Sequence, residues 1–299
     1  MQGGERFNSI GDHLKSEFGR KTVKLSIDAG FTCPNRDGTA GYGGCAFCSE
    51  GGSGELASRA SLSDTDFSAS ISEQIDRLSE KWPDACYLAY FQSFTNTYGD
   101  IRYLSRLYEE TIRREDIVIL SLGTRPDCLG NEVMGMLKRL NSIKPVWIEL
   151  GLQTIHESTA RRINRQYELA VFEDAYRRLK EAGITVIVHV IFGLPGESQE
   201  DMLETIRYLS RLEPELDGIK IQMLNILKGS ALADEYLQNP FPLLEMEEYV
   251  SLVKQSVEIL PEQTIVHRMT GDGDQRLLIA PDWVRNKKRV LNSLNAALR

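Results

Sequence analysis

The sequence predicts an α/β fold, a partial (β/α)6 TIM-like barrel that is followed by a helical C-terminal extension. Six short runs of apolar and β-branched residues alternate with longer segments that have helical spacing. Strands separated by amphipathic helices are typical of βαβ units and of a parallel sheet. Six strands fit either a doubly wound sheet or an incomplete barrel. No Gly-x-Gly-x-x-Gly motif follows the first predicted strand, which disfavours the dinucleotide-binding form of the doubly wound sheet.

The predicted elements follow one another in a regular order. The strands are 22–28, 86–91, 116–122, 145–150, 184–192 and 218–226, and the helical segments between them are 67–82, 101–115, 131–143, 170–183 and 198–212. Some boundaries have chemical signals of their own. Ser198 precedes Asp201 by three residues, which is close to a capping box, and Gly183 is placed to end the helix before the fifth strand.

This order predicts three regions along the chain. An N-terminal helical segment covers 1–20, the barrel covers 21–235, and the C-terminal extension covers 236–299. We expect the extension to cap the barrel and to end in a helix over 285–298, although composition alone also allows a small appended unit. The stretch HRMTGDGD (267–274) is predicted as a solvated loop, with substrate binding as the alternative.

Composition limits the classes of function. The chain has 299 residues, 41% of them hydrophobic and 26% charged, which is typical of a globular protein with a core. Its formal net charge of −8 argues against binding a polyanion with the whole surface. The first residues lack the apolar stretch of a signal peptide, and no run approaches the roughly 18 apolar residues of a membrane span. We therefore expect a cytoplasmic protein. Three local basic groups remain as candidate contacts or solvated faces: Arg20, Lys21 and Lys24; Arg161, Arg162 and Arg165; and Arg285, Lys287, Lys288 and Arg289.

Three of the five cysteines lie in one glycine-rich stretch directly after the first predicted strand. Their spacing is Cys33-x11-Cys45-x2-Cys48. Loops at the carboxyl ends of barrel strands form the active face, and clustered thiols in a reducing compartment indicate metal or redox chemistry. A structural zinc site needs four ligands, and this loop offers three and no histidine. The loop therefore predicts a metal centre with an open position, with half of a zinc ribbon or a redox Cys-x-x-Cys as alternatives.

The cysteine spacing, with the aromatic Phe47 before the last cysteine, resembles the radical S-adenosylmethionine superfamily. The usual loop of that superfamily has three residues between its first two cysteines, and longer spacings mark particular subgroups. IDAGFTCPNRDG and GGCAFCSEGGSGE are most similar to the YhcC/YtqA-type family, a relative of the elongator catalytic subunit and of oxygen-independent coproporphyrinogen oxidase. The resemblance implies a [4Fe-4S] cluster on Cys33, Cys45 and Cys48. It also implies S-adenosylmethionine on the fourth iron, reductive cleavage to a 5′-deoxyadenosyl radical, and Phe47 beside the cofactor.

The resemblance further implies residues that contact S-adenosylmethionine. Ser93 and Thr95 stand where the superfamily has a glycine-rich motif for the methionine amino group, and a polar turn is the alternative. Gln153 and, as a weaker candidate, Glu149 are expected toward the ribose. Arg165 is expected toward the methionine carboxylate, because a guanidinium matches a carboxylate with two hydrogen bonds; a surface helix charge is the alternative.

Two further positions are open on sequence alone. His189 stands where the porphyrin relatives carry an aspartate, so it is predicted as a changed ribose contact, a substrate contact or a structural histidine. Arg125, at the end of the third predicted strand, can reach substrate or cofactor, and a turn residue is equally consistent with the pattern.

The resemblance leaves the substrate less defined than the chemistry. Elongator-type relatives act on the wobble uridine of transfer RNA, which implies transfer RNA modification here. It also implies an electron donor such as flavodoxin or ferredoxin, and no membrane partner. The alternatives are a radical enzyme for a small metabolite, such as a porphyrin precursor, and a non-catalytic protein that binds metal or RNA.

Overall fold

The computed structural model describes residues 7–52, 54, 57–59, 64–271 and 273–299. Residues 1–6 of the predicted N-terminal segment and Asp272 of the predicted loop 267–274 therefore lie outside the described residues. The predicted boundaries between the three regions, at 20/21 and 235/236, stay predictions.

The centre of the molecule is a curled parallel sheet. In chain order the strands are β1 (Asn8–Ser9), β2 (Thr22–Asp28), β3 (Ser58–Arg59), β4 (Cys86–Phe91), β5 (Ile117–Thr124), β6 (Val146–Gln153), β7 (Thr185–Phe192), β8 (Gly218–Met223), β9 (Ile226–Leu227), β10 (Ile265–Arg268) and β11 (Leu278–Ala280). Within the described residues, nine of them form one sheet in the order β1-β10-β8-β7-β6-β5-β4-β2-β3, and β9 pairs antiparallel with β11. The predicted α/β partial barrel is confirmed.

Helices connect the strands and cover the outer face of the sheet. They are α1 (Ile10–Phe18), α2 (Asp64–Ser79), α3 (Ile101–Ile112), α4 (Asn131–Asn141), α5 (Glu157–Arg162), α6 (Leu169–Glu181), α7 (Gln199–Leu209), α8 (Ala231–Gln238), α9 (Met246–Ile259) and α10 (Lys287–Ala297). The capping box predicted at Ser198 is present: Ser198 Oγ accepts from the backbone N–H of Asp201, and the Asp201 carboxylate accepts from that of Ser198. The helices at the C-terminal end agree with the predicted helical extension.

Strand alternation separates two apolar clusters. Outward-facing residues of β4, such as Tyr87 and Phe91, pack in the main core that the sheet shares with the helices. Inward-facing Leu88 belongs instead to a small cluster inside the barrel, together with Ile119 and Trp147. Successive side chains of a strand point to opposite faces, so the sheet has an inner and an outer surface of different chemistry.

Helix α1 closes the amino-terminal end of the barrel interior. Its residues Ile10, Leu14 and Phe18 pack against the inner cluster. The helix begins with Ser9 as N-cap and ends at Gly19, whose φ of 65° is the left-handed conformation that suits glycine. The interior is therefore open at the carboxyl end, where the loops gather.

The solvated loop predicted over 267–274 is wrong for its first two residues only. They belong to β10 (Ile265–Arg268), which pairs in parallel with β8 and with β1. A strand of four residues is too short to display a clear alternation in sequence. No helix in the described part of the chain is both long enough and apolar enough to cross a membrane.

Candidate active site

A cavity of about 220 Å³ opens at the carboxyl ends of the central strands. In a curled parallel sheet this is the end where strand-to-helix loops meet. Most of the residues that the sequence predicted for the site line this cavity: Cys33, Cys45, Phe47, Cys48, Thr95, Glu149 and Gln153. The other two predicted residues, Ser93 and Arg165, are not among the described residues that line it.

Tight turns after β2 fold the cysteine loop over the cavity. The carbonyl of Cys33 accepts from the N–H groups of Arg36 and Asp37 at 2.8 and 3.3 Å, and Cys48 N–H donates to the Cys45 carbonyl at 2.9 Å. Asn35 ties the loop to the following one, because its Nδ2 donates to the Asn164 carbonyl at 2.6 Å. Hydrogen bonds thus fix the turns of the loop, while Ala46 and Phe47 join it to an apolar cluster.

The electrostatic environment of Cys45 favours its thiolate. Its pKa is lowered to about 7 by a hydrogen bond with the Cys48 side chain, which outweighs the effect of burial, and by the positive charge of Arg125 and a hydrogen bond from Asn35. Asn35 Nδ2 lies 3.7 Å and Arg125 Nη1 4.0 Å from the Cys45 sulfur. Donors of this kind around sulfur ligands are what an iron–sulfur site requires.

The three thiols do not all lie close enough together to surround a single ion. Among the described residues, one trio of His, Cys, Asp or Glu side chains brings its ligand atoms within 4.8 Å of one another, namely His156, Asp201 and Glu204, and not the cysteines. One zinc ion with Zn–S bonds of about 2.3 Å needs its sulfurs roughly 3.8 Å apart. A cluster takes each thiolate on a separate iron and so holds the thiolates at a wider spacing.

Ser93 lies directly beneath the cysteine loop. It is buried, and its Oγ has no hydrogen-bond partner. The loop approaches so closely that a Cβ on Gly54 would overlap this Oγ, and a Cβ on Gly52 would overlap the ring of Phe94. The glycines therefore allow the loop to sit on the end of β4. Thr95, two residues further on, is buried and faces the cavity.

Arg165 lies in the protein interior, not in the described lining of the cavity. Its side chain is fully buried, and Nη1 donates to the carbonyls of Leu152 and Thr154 at 3.0 and 2.6 Å. Nε donates to the carbonyl of Tyr167 at 3.1 Å, and the guanidinium lies 4.6 Å from the centre of the Tyr167 ring. These contacts hold the loop after β6. Nη2 is buried without a hydrogen bond, 3.6 Å from the Glu157 carboxylate, and the contact of Arg165 with the methionine carboxylate stays a prediction.

Arg125 takes a position at the cavity wall. Its guanidinium makes a two-point contact with Asp127, at 2.9 and 2.7 Å, and lies 5.0 Å from the centre of the Tyr167 ring. This contact raises the pKa of Arg125 against the opposing effect of burial. Tyr167 is thus placed between two arginines, and its hydroxyl lies 3.1 Å from Oε1 of Gln153. Its position two residues after the Asn164-Arg165 pair gave no distinct signal in the sequence.

The floor of the cavity carries a buried charged set. Oε2 of Glu149 accepts from Lys220 Nζ in a short hydrogen bond and lies 2.8 Å from His189 Nε2, while Oε1 accepts from Ser121 at 3.1 Å. Burial alone would raise the pKa of Glu149, but Lys220 and His189 hold it well below its usual value. Sequence reasoning missed Lys220, although a lysine between two isoleucines of an apolar strand was an available signal.

Comparisons with known proteins agree with this geometry. A family model described as the Radical SAM superfamily matches residues 33–209, and one described as the Radical_SAM C-terminal domain matches residues 216–299. The chain is 41% identical to the uncharacterized protein YtqA of Bacillus subtilis, over 98% of this chain and 90% of YtqA. It is 35% identical to the protein YhcC of Escherichia coli K12, over 96% of this chain and 90% of YhcC.

The fold is similar to a solved structure as well. The archaeal Elp3 of Methanocaldococcus infernus superposes with a TM-score of 0.68 at 17% sequence identity. The alignment covers 93% of this chain and 64% of that one. At this identity the likeness concerns the fold alone.

Proposed function

This chain belongs to the Radical SAM superfamily and is a radical SAM enzyme of the YhcC/YtqA type, and from this premise we propose that Cys33, Cys45 and Cys48 hold its cluster. Members of the superfamily use a [4Fe-4S] cluster and S-adenosylmethionine. The observation that carries the proposal is the set of three thiols on one cavity wall at the carboxyl end of the sheet. Three thiolates leave one iron of a cubane with a position for an external ligand.

When bound, the reduced cluster supplies the electron that cleaves the sulfonium and yields a radical for hydrogen abstraction from the substrate. The residues of the chain hold the reactants and exclude water. Phe47 covers one side of the cavity together with an apolar cluster that includes Ile191 and Leu224. Thr95 and Gln153 offer polar atoms at the wall.

Two polar groups support a place for the methionine end of S-adenosylmethionine. The Oγ atom of Ser93 has no hydrogen-bond partner in the protein. A small shift of the loop would let this atom accept a hydrogen bond from the ammonium group of a ligand. Arg125 lies on the cavity wall near Cys45 and pairs with Asp127, whereas Arg165 donates to three carbonyls and does not line the cavity. Arg125 is therefore the better placed guanidinium for the carboxylate, and Arg165 supports the loop.

For the substrate, we propose the wobble-uridine side chain of transfer RNA. The support is the resemblance of the cysteine loop to that of elongator-type relatives, together with the charge of the cavity. In a chain with a formal net charge of −8, the described lining has three arginines, Arg36, Arg125 and Arg268, while its one carboxylate, Glu149, is paired with Lys220. A positive cavity in an acidic protein draws an anionic substrate to one place.

The remaining parts of the proposal follow from the same chemistry. An electron donor such as flavodoxin or ferredoxin would approach the cysteine loop, where Tyr42 is 79% exposed. A cytosolic setting would keep the thiols reduced. The basic group at 161–165 is a weaker candidate for RNA contact than the other two, because Arg165 is buried and Arg162 pairs with Glu235.

Nucleoside mass spectrometry of transfer RNA from a strain lacking the protein tests the substrate. We expect the wobble-uridine modification to be shortened or lost, and to return with the wild-type protein but not with a Cys48→Ser variant. Complementation with Cys86→Ser is the matched control, because Cys86 is a buried β4 residue outside the cavity. An unchanged wobble-uridine profile in the deletion strain would remove transfer RNA as the substrate.

A small-metabolite substrate is the second candidate. The acidic net charge and the pairing of Arg162 favour it, since both weaken the surface for a polyanion. Untargeted metabolite profiling of the same strain distinguishes the two: a metabolite that accumulates beside normal transfer RNA supports this candidate.

A further inference from the structure

The interior of the barrel is organised in layers, and the layer beneath the cavity is polar. Each of the adjacent strands β4 to β8 contributes one inward-facing residue to it: Tyr90, Ser121, Glu149, His189 and Lys220. The sheet register pairs His189 with Lys220 and Tyr90 with Ser121. Glu149 lies opposite Gly123 and Ile187 in the register, and its hydrogen bonds with Ser121 and His189 connect the two pairs. The polar layer is therefore a continuous surface across the five central strands.

One layer further down, the same strands carry apolar residues. The positions two residues earlier in β4 to β7 are Leu88, Ile119, Trp147 and Ile187, which form the inner apolar cluster with helix α1. Apolar side chains can thus fill the interior of the barrel in a layer of this width. A buried ion pair is seldom more stabilising than apolar residues of similar volume. The Glu149–Lys220 pair is therefore better explained by function than by stability.

The hydrogen bonds of the layer assign its members different tasks. Both oxygens of Glu149 are engaged, Oε2 by Lys220 and His189 and Oε1 by Ser121, so this carboxylate has little capacity left for a ribose hydroxyl. An ammonium has three N–H donors, and Glu149 takes one of those of Lys220. Lys220 faces the cavity, and its Nζ lies 4.5 Å from the centre of the Tyr90 ring. Its remaining donors can serve a ligand.

We propose that Lys220 binds the substrate, donating a hydrogen bond to a carbonyl oxygen of a pyrimidine ring, and that Glu149 and His189 are positioning residues that hold its side chain. This inference rests on the proposed action on uridine and names the part of the site that reads the base. Uracil offers two ring carbonyls as acceptors, and a lysine offers only donors, so the two are complementary. The lysine lies on the cavity floor, apart from the thiols of the cysteine loop.

The protonation of Lys220 affects how its amine reacts with a small electrophile. Burial lowers its pKa to about 7, against the opposing effect of the Glu149 carboxylate. The titratable and charged groups that face it from neighbouring strands are Lys24, Tyr90, Glu149, His189, His267 and Arg268. This amine therefore loses its proton at a lower pH than an ordinary exposed lysine does, which favours its reaction with a small electrophile.

Reductive methylation of the anaerobically reconstituted wild-type enzyme tests the proposal. Formaldehyde with cyanoborohydride is small enough to enter the cavity, and peptide mass spectrometry reads the methylation of each lysine. The probes are S-adenosylmethionine alone, an anticodon stem-loop RNA with a wobble uridine, and the same RNA with an abasic wobble position. Lys144 is the internal reference, because it is half-buried and bonded to the carbonyls of Arg114 and Ile117, far from the cavity lining.

We expect the uridine RNA to slow methylation of Lys220 by about tenfold, and the abasic RNA and S-adenosylmethionine to leave it nearly unchanged. Equal protection by S-adenosylmethionine alone would assign Lys220 to the cofactor site and overturn the proposal. Binding of the uridine RNA in a gel-shift assay without protection of Lys220 would also overturn it. If the RNA does not bind at all, the result overturns the proposed transfer RNA function, and with it the proposal that uracil binds at this site.

The positioning role of Glu149 has its own readout. Glu149→Gln removes the negative charge that favours the ammonium, so the pH midpoint for methylation of Lys220 should fall and its rate at pH near 7 should rise roughly two-fold or less, since half the amine is already neutral there. The methylation rate of Lys144 in the same sample should stay constant. An unchanged midpoint for Lys220 would contradict the positioning role.

Discussion

The two ends of the barrel interior are built on the same strands but differ in chemistry. At the amino-terminal end, Trp147 and its apolar neighbours pack beneath helix α1. At the carboxyl end, two residues along the same strand, Glu149 pairs with Lys220 below a loop of three thiols. A step of two residues along the strand thus separates the packed end of the interior from the reactive end.

The difference shows where the molecule places stability and where it places function. The packed end has the properties of a core, in which filled volume and apolar area stabilise the fold. The reactive end contains buried polar atoms that have no hydrogen-bond partner, such as Ser93 Oγ and Asn35 Oδ1. Such groups are uncommon in protein interiors and are more often found where a ligand binds. Substitutions at the two ends should therefore have separable effects.

The largest effect is expected at the thiols. Cys48→Ser should abolish the iron–sulfur absorbance of the reconstituted protein and lower 5′-deoxyadenosine formation by ~100-fold or more, because a serine hydroxyl does not replace a thiolate on iron. Iron analysis, visible absorbance and product chromatography measure it. Cys86→Ser is the control and should keep its iron. A Cys48→Ser protein with wild-type iron content would contradict the assignment.

The packed end should respond in stability alone. Trp147→Ala removes a nearly fully buried ring that contacts the ring of His267 at a centroid distance of 5.2 Å. We expect the free energy of unfolding to fall by about 3–5 kcal/mol, as for other large-to-small changes in a core. Urea unfolding followed by circular dichroism measures this change. Loss of the cluster without loss of stability would show that the two ends are not separable.

The two arginines on either side of Tyr167 sharpen the comparison. Arg165→Met leaves three buried carbonyls without their donor, so unfolding free energy should drop by about 3 kcal/mol while the affinity for S-adenosylmethionine stays within about two-fold. Arg125→Lys should do the opposite, weakening S-adenosylmethionine binding by about ten-fold with a stability change of about 1 kcal/mol or less. Equilibrium dialysis and urea unfolding measure the pair. The reverse pattern would return the carboxylate contact to Arg165.

The most gradual effect concerns pH. In the unfolded chain a lysine keeps its proton up to about pH 10.4, whereas burial lowers the pKa of Lys220 in the folded protein to about 7. Between these values the unfolded chain binds more protons, so the free energy of unfolding rises with pH, by up to about 1.4 kcal/mol per pH unit from this group. The stability of the wild-type protein minus that of Lys220→Met should show this slope. A difference that is constant over this range would contradict the shifted pKa.

Much of the fold was accessible from the sequence. The predicted strands 22–28 and 86–91 coincide with β2 and β4, because β-branched and apolar residues run between clear turn signals. The two-residue strands β1 and β3 were not predicted. They are defined by pairing with partners far along the chain, and so few residues have no period of their own.

The site was predicted less completely, for physical reasons that differ between residues. Cys33, Cys45 and Cys48 are close in sequence, so their spacing was informative. Arg165 lies between Asn164 and Gln166, whose φ angles of 54° and 64° are in the left-handed region and turn the chain so that the arginine points inward. Pattern matching does not reveal such a local conformation. Lys220 meets its partner Glu149 across 71 residues, a contact that only the folded sheet creates.

Mössbauer spectroscopy of the enzyme reconstituted with enriched iron tests whether Cys33, Cys45 and Cys48 hold a cluster with an open iron. We expect a [4Fe-4S] cluster in which one iron changes its isomer shift when S-adenosylmethionine is added, because the three thiolates of the loop leave that iron open to the ligand. Four iron sites that do not respond to S-adenosylmethionine, or a protein that takes up zinc and no cluster, would contradict it.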